Sequence, residues 1–128
     1  MWFWIAMFIC NMLIPVIMII SGYMMYKHTP KSINGVYGYR TRRSMKNMDT
    51  WKFAHDYCGR IWLKAGSMIL IPSVLLQLPF MHSSEDVIGV MTLIIETIQI
   101  GVLMVPVYFV EKALKETFDD AGNRIINK

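Results

Sequence analysis

The sequence predicts an all-α integral membrane protein of three transmembrane helices, N-out/C-in, with an amphipathic helix leading into the second span. Three observations carry this. Apolar residues make up 55% of the 128 residues and charged ones only 17%, with a mean hydropathy of +0.39, which is unusual for a soluble domain. The apolar residues fall into three long runs, and about 20 apolar residues at roughly 1.5 Å rise cross a hydrocarbon layer of about 30 Å. All 13 Lys and Arg residues lie between Tyr26 and Lys64 or after Val110, so the positive-inside rule places those two regions in the cytoplasm. Three crossings put them on the same side, and span count and charge agree.

The first span covers residues 2–26, with Trp2 and Trp4 at one end and Tyr23 and Tyr26 at the other, where amphipathic rings settle at the interfaces. No basic residue precedes it and no small-x-small cleavage site is evident, so it reads as an uncleaved span. Residues 27–60 form the cytoplasmic loop. Its first half contains Pro30, Gly35 and Gly38 and reads as a structured loop. Asp49 or Thr50 then caps a helix on which Trp51, Ala54, Tyr57 or Cys58, Ile61 and Leu63 or Ala65 recur at roughly helical spacing. This amphipathic helix runs into the second span, residues 61–80, which Pro72 and Pro79 can bend. A connection without Lys or Arg leads to Asp86, which starts the third span, residues 87–110. The cytoplasmic tail, residues 111–128, continues the helix and then meets a turn signal at Asp119, Asp120, Gly122 and Asn123. The whole chain, 1–128, is a single membrane domain.

Four polar side chains fall where lipid should be. Glu96 lies about 14 Å from the outer end of its span, and Asn11 lies at a similar depth in the first. A lone carboxylate there costs on the order of 2.5 to 3.5 kcal/mol and faces the bundle interior, so Glu96 is expected to face Asn11. Gln99 and Ser67 reach a common level, about 18 to 20 Å in. Such residues serve either as interhelical packing contacts or as a functional site. Gly22, Gly66, Gly89 and Gly101 allow close helix approach and are compatible with a homo-oligomer.

Chemistry concentrates in the loop. Residues 33–51 read INGVYGYRTRRSMKNMDTW. Tyr37 and Tyr39 suit the headgroup level, while Arg40, Arg42, Arg43 and Lys46 offer forked and point-charge donors for phosphate or carboxylate. Attraction of this basic loop to anionic lipid headgroups needs no particular residue order. The order present, however, resembles the hallmark N-x-x-x-G-[YI]-R-T-x-x-[SA] of the SdpI family of bacterial integral membrane proteins. The motif falls on Asn34, Gly38, Tyr39, Arg40, Thr41 and Ser44, followed by Asn47 and Trp51. The similarity continues in Ala54 and Gly59 and, more loosely, in Gln99, Pro106, Glu111, Leu114, Phe118 and Gly122.

The resemblance implies a multi-pass protein of the bacterial cytoplasmic (plasma) membrane that gives immunity against a secreted toxic peptide, signals through a cytoplasmic regulator, or does both. The alternative is a small transporter or lipid- and anion-binding protein using Glu96 and the Arg40, Arg42 and Arg43 cluster. An enzyme is not expected, because the chain has no HExxH, GxSxG or P-loop, and adjacent His55 and Asp56 point about 100° apart on a helix. No metal, cofactor or nucleic acid is expected. Cys10 and Cys58 show no CxxC or metal spacing and read as packing residues without a disulfide.

Overall fold

The computed structural model describes residues 1–35 and 38–125. The expectation for Tyr37, and the last three residues of the tail, lie outside the described residues. Three helices are each long and apolar enough to cross a membrane: α1, Trp2–Lys27; α2, Met48–Gln77; and α3, Glu85–Thr117. A single 3₁₀ turn, Leu78–Phe80, follows α2.

The distribution of side chains is inverted relative to a soluble bundle. Ile17, Ile20, Met68, Ile71, Val90 and Leu93 are exposed, with Ile71 at 64% and Leu93 at 68%, whereas Asn11, Ser73, Gln77 and Gln99 are buried. An apolar exterior of this extent belongs against lipid, and the polar groups inside it pair with one another.

The amphipathic segment and the second span form one unbroken helix, α2, of 30 residues. At 1.5 Å per residue that is about 45 Å, and α3 with its 33 residues reaches about 50 Å. Both overrun a hydrocarbon layer of about 30 Å. The excess projects at one end, where residues 28–35, 38–47 and 118–125 also gather.

The caps lie slightly upstream of the expected positions. Asn47, not Asp49 or Thr50, caps α2. Its side chain accepts from the Thr50 amide at 2.9 Å while the Thr50 hydroxyl accepts from the Asn47 amide at 3.1 Å, a reciprocal capping box. Ser84 caps α3, which leaves Glu85 and Asp86 as acidic residues of the first turn.

α1 and α2 touch backbone to backbone. A Cβ on Gly22 would stand 2.6 Å from the Leu63 nitrogen, and one on Gly59 would stand 2.6 Å from the Tyr26 nitrogen and 2.7 Å from the Gly22 oxygen. Gly66 also lies at this contact, with Met18 and Ile19 side chains 3.0 Å from a built Cβ. Gly101 meets nothing within 4 Å and Gly89 only the Phe3 ring at 3.9 Å, so those two do not draw helices of the chain together.

Pro15, Pro72 and Pro106 all sit inside helices, while Pro79 falls in the 3₁₀ turn beyond the end of α2. Pro15 has no N–H, so it releases the Asn11 carbonyl from the α1 ladder. The Gln99 amide of α3 donates to that carbonyl at 2.9 Å. The same Gln99 nitrogen donates to the Ser73 hydroxyl at 2.9 Å, and the Asn11 amide donates to Gln77 Oε1 at 2.8 Å. One network thus ties all three helices together inside the membrane.

Two of the expected intramembrane positions differ from this arrangement. Ser67 is exposed, and its hydroxyl donates to the Leu63 carbonyl of its own helix at 2.8 Å. Ser73 meets Gln99 instead because it follows Gly66 by seven residues, nearly two full turns, and so shares the buried face that Ser67 leaves by 100°. Asn11 pairs with Gln77 and not with Glu96, which sits half-buried at the edge of the α3 inner face, beside Ile95.

Candidate functional site

The polar residues of the 33–51 stretch dock the loop onto α2 and α3. Gly38 has φ +104°, a conformation that side chains rarely adopt, and a Cβ there would overlap His55 Nε2. This turn aims the Tyr39 N–H at His55 Nε2, 2.8 Å away. His55 Nδ1 lies 2.7 Å from the Trp51 carbonyl one turn earlier. An N–H must donate to each acceptor, so Nδ1 carries the proton, Nε2 accepts, and the imidazole is neutral. His55 is fully buried against the Trp51 ring, with centroids 4.2 Å apart.

The second anchor is Glu111 on α3. The Tyr39 hydroxyl donates to Glu111 Oε2 at 2.8 Å and the Thr41 hydroxyl donates to the same oxygen at 2.9 Å. Burial, and then the neighbouring Glu111 carboxylate, push the Tyr39 phenol above its ordinary value of 10.0. A proton held more tightly in the folded state stabilises it fully below pH 10, and this contribution falls as pH rises further. Raising the pH beyond 10 is therefore expected to loosen the loop in the parent protein more than in Tyr39→Phe, read by proteolytic cleavage of residues 38–47 across a pH series. Equal susceptibility at every pH would count against this anchor.

Ser44 and Trp51 close the loop on itself. The Ser44 hydroxyl, fully buried, donates toward the carbonyls of Tyr39 and Thr41 at 3.1 and 3.0 Å and accepts from the Thr41 amide at 2.9 Å. Trp51 Nε1 donates to the Pro30 carbonyl at 2.9 Å, fixing the start of the loop to α2. Asn34 donates to the Ser32 carbonyl at 3.1 Å. Beneath them Met25, Tyr39, Ala54, Cys58, Val110, Leu114 and Phe118 form one buried apolar cluster.

The tail folds back onto this platform. Asp119 Oδ1 accepts from the amides of Ala121 and Asn123 at 3.0 and 2.9 Å, which makes the turn. Asn47 Nδ2 donates to the Gly122 carbonyl at 2.7 Å, and Arg124 makes two bonds of 2.8 Å to Asp49. Asn47 thus caps α2 and holds the tail at once. Replacing Asn47 with Ala is expected to cost about 1 to 2 kcal/mol and to speed amide hydrogen exchange both at 48–51 and at 119–124. Faster exchange at only one of the two sites would break the link between them.

The basic residues are not one cluster. The Arg40 guanidinium bends back to donate to the Gly35 carbonyl. Arg42, Arg43 and Lys46 instead line a groove of about 320 Å³ whose floor is Thr50, Leu114 and Phe118 and whose far wall is Asp119 and Asp120. Arg43 approaches Asp120 at 3.8 Å in solvent, a weak pair. Arg42 and Lys46 are exposed. His55 was not legible as a site residue, although its position one turn after Trp51 on the buried face was the available signal. Glu111 stood out only through the looser resemblance.

The family model described as the SdpI/YfhL protein family matches residues 31–110. The chain belongs to this family. A protein of Bacillus subtilis (strain 168), described as "Uncharacterized protein YfhL", is 45% identical over 53 residues, covering 41% of this chain and 48% of the relative. The chain thus spans about half the length of the curated relative it matches. No solved structure matches it. The match to the SdpI/YfhL model takes in every motif residue from Asn34 to Trp51, as well as His55, Gln99 and Pro106. It stops one residue before Glu111, the carboxylate on which Tyr39 and Thr41 converge.

Proposed function

We propose that this SdpI-like membrane protein gives immunity against a secreted, membrane-active toxic peptide and signals through its basic loop at the cytoplasmic face of a bacterial plasma membrane. The observation that carries this reading is the division of labour in the loop. Tyr39, Thr41, Ser44, Asn47 and Trp51 are spent on internal hydrogen bonds, whereas Arg42, Met45 and Lys46 are left exposed on the platform those bonds create. A loop that served only as topogenic charge would need no such framework. A regulator with an acidic surface fits the exposed cations, and a toxic peptide would meet the opposite, lipid-embedded part of the bundle.

The test is expression in a toxin-sensitive bacterium. Survival in the presence of the peptide, reduced when Arg42→Gln and Lys46→Gln are combined at unchanged membrane level, is the expected result. Unchanged killing by every candidate peptide removes the immunity reading.

A second reading, a lipid- or anion-binding protein, is favoured by the groove beside Arg42, Arg43 and Lys46. A transporter built on Glu96 draws less support, because that carboxylate lies outside the polar network joining the helices. Proteoliposome flux of phosphate unaffected by Glu96→Gln would argue against transport through it.

A further inference from the structure

Near the level of Asn11, toward the end of the bundle where α2 stops at Gln77, two acceptor atoms are buried without a hydrogen-bond partner among the described residues: Asn11 Oδ1 and Gln99 Oε1. Their residues are only 1% and 2% exposed. Exchanging oxygen and nitrogen in these amides does not remove the problem. The Gln99 nitrogen must face the Asn11 carbonyl, which Pro15 frees and which accepts only from a donor. The Gln77 nitrogen must face the Ser73 carbonyl, 2.6 Å away, so Gln77 Oε1 faces Asn11 and requires the Asn11 nitrogen. The backbone therefore dictates all three amide orientations, and the two oxygens are left over by construction.

Beside Asn11 lies a cavity of about 10 Å³, walled by Trp4, Met7, Asn11, Gln77, Thr92 and Ile95 among others. That is the space needed for the centre of one water molecule, and a buried water needs two to four polar partners. Asn11 Oδ1 accepts, the Thr92 hydroxyl both donates and accepts, and Gln77 adds a further polar group. An apolar ligand would leave Asn11 Oδ1 unmet, and a metal cation requires more oxygen ligands than this wall supplies.

We infer that the cavity between Asn11, Gln77 and Thr92 is a binding site for a single structural water, about 14 Å from the Trp2 end of α1. The water meets Asn11 Oδ1, whose residue shares the cavity wall with Gln77, and gives the lipid-embedded half of the bundle a polar foothold. The inference does not depend on the immunity reading.

The test is proton-detected solid-state NMR of the full chain in lipid bilayers, reading magnetisation transfer from water to the side-chain amides of Asn11 and Gln77. A water cross-peak at both amides, lost in Thr92→Ile because the added carbons fill the cavity, is the expected result. Should Thr92→Ile fail to fold, Asn11→Leu with the Gln77 amide as reporter serves, and the same loss is expected. Absence of the cross-peak in the parent protein overturns the proposal, as does a cross-peak of unchanged intensity in the folded variant.

Discussion

Replacing Gly59 with Leu is expected to force α1 from α2 and to lower the stability of the helix pair by about 3 kcal/mol or more. A Cβ at this position already overlaps the Tyr26 nitrogen and the Gly22 oxygen, both backbone atoms that no rotamer change can move. Overpacking that side-chain adjustment can absorb costs about 1 to 3 kcal/mol, and here the helix axes must shift instead. In lipid no hydrophobic force drives the helices together, so lost van der Waals contact is not replaced. Gly22→Leu on the partner surface is expected to behave the same way, whereas Gly101→Leu, with open space around it, is expected to be nearly neutral. Unfolding in mixed micelles of increasing denaturing detergent measures the difference. Equal midpoints for Gly59→Leu and Gly101→Leu would refute the close packing.

The second large effect is expected from His55→Phe. The ring volume is roughly kept, but the Tyr39 N–H loses its acceptor and the Trp51 carbonyl loses a donor. A buried donor left unmet costs about 1 to 3 kcal/mol, beyond the bond itself. Residues 38–44 should therefore leave the surface of α2 while the helices remain inserted. Proteolysis of the loop in sealed vesicles measures this: cleavage near Arg42 and Arg43 is expected to accelerate about tenfold or more, with α1 and α3 protected as before. Gly38→Ala is expected to give the same phenotype from the other side of the contact, because its Cβ would occupy the space of the His55 ring.

The long features of the fold were legible because each rests on a pattern many residues long. The three helices follow from apolar runs, and the continuous α2 follows from helical spacing that carries through the membrane boundary without a stop signal. The turn at 119–123 was readable from Asp, Gly and Asn. What escaped was pairing between distant residues. Ser67 and Ser73 differ only in which face of α2 they occupy, and that face is set by where Gly59 and Gly66 meet α1, a contact invisible from either segment alone. Glu96 drew attention as the lone carboxylate at mid-depth. The interior was instead organised by amides, because Pro15 creates an orphan carbonyl that Gln99 can reach and a carboxylate cannot satisfy. His55 escaped for a similar reason. Beside Asp56 it looked like half of a poor catalytic pair, and its actual partner, the Tyr39 amide, carries no side-chain signature. The motif Asn34 to Trp51 gave no sign that most of its polar members face inward.

Three crossings of one bilayer put the basic loop and the 81–84 connection on opposite sides. Single cysteines placed at Met45 and at Ser84, in a chain carrying Cys10→Ala and Cys58→Ala, report this through a membrane-impermeant maleimide. Labelling of the Ser84 position in intact cells, and of the Met45 position only in inverted vesicles, is the result predicted. Labelling of both positions from the same compartment would contradict it.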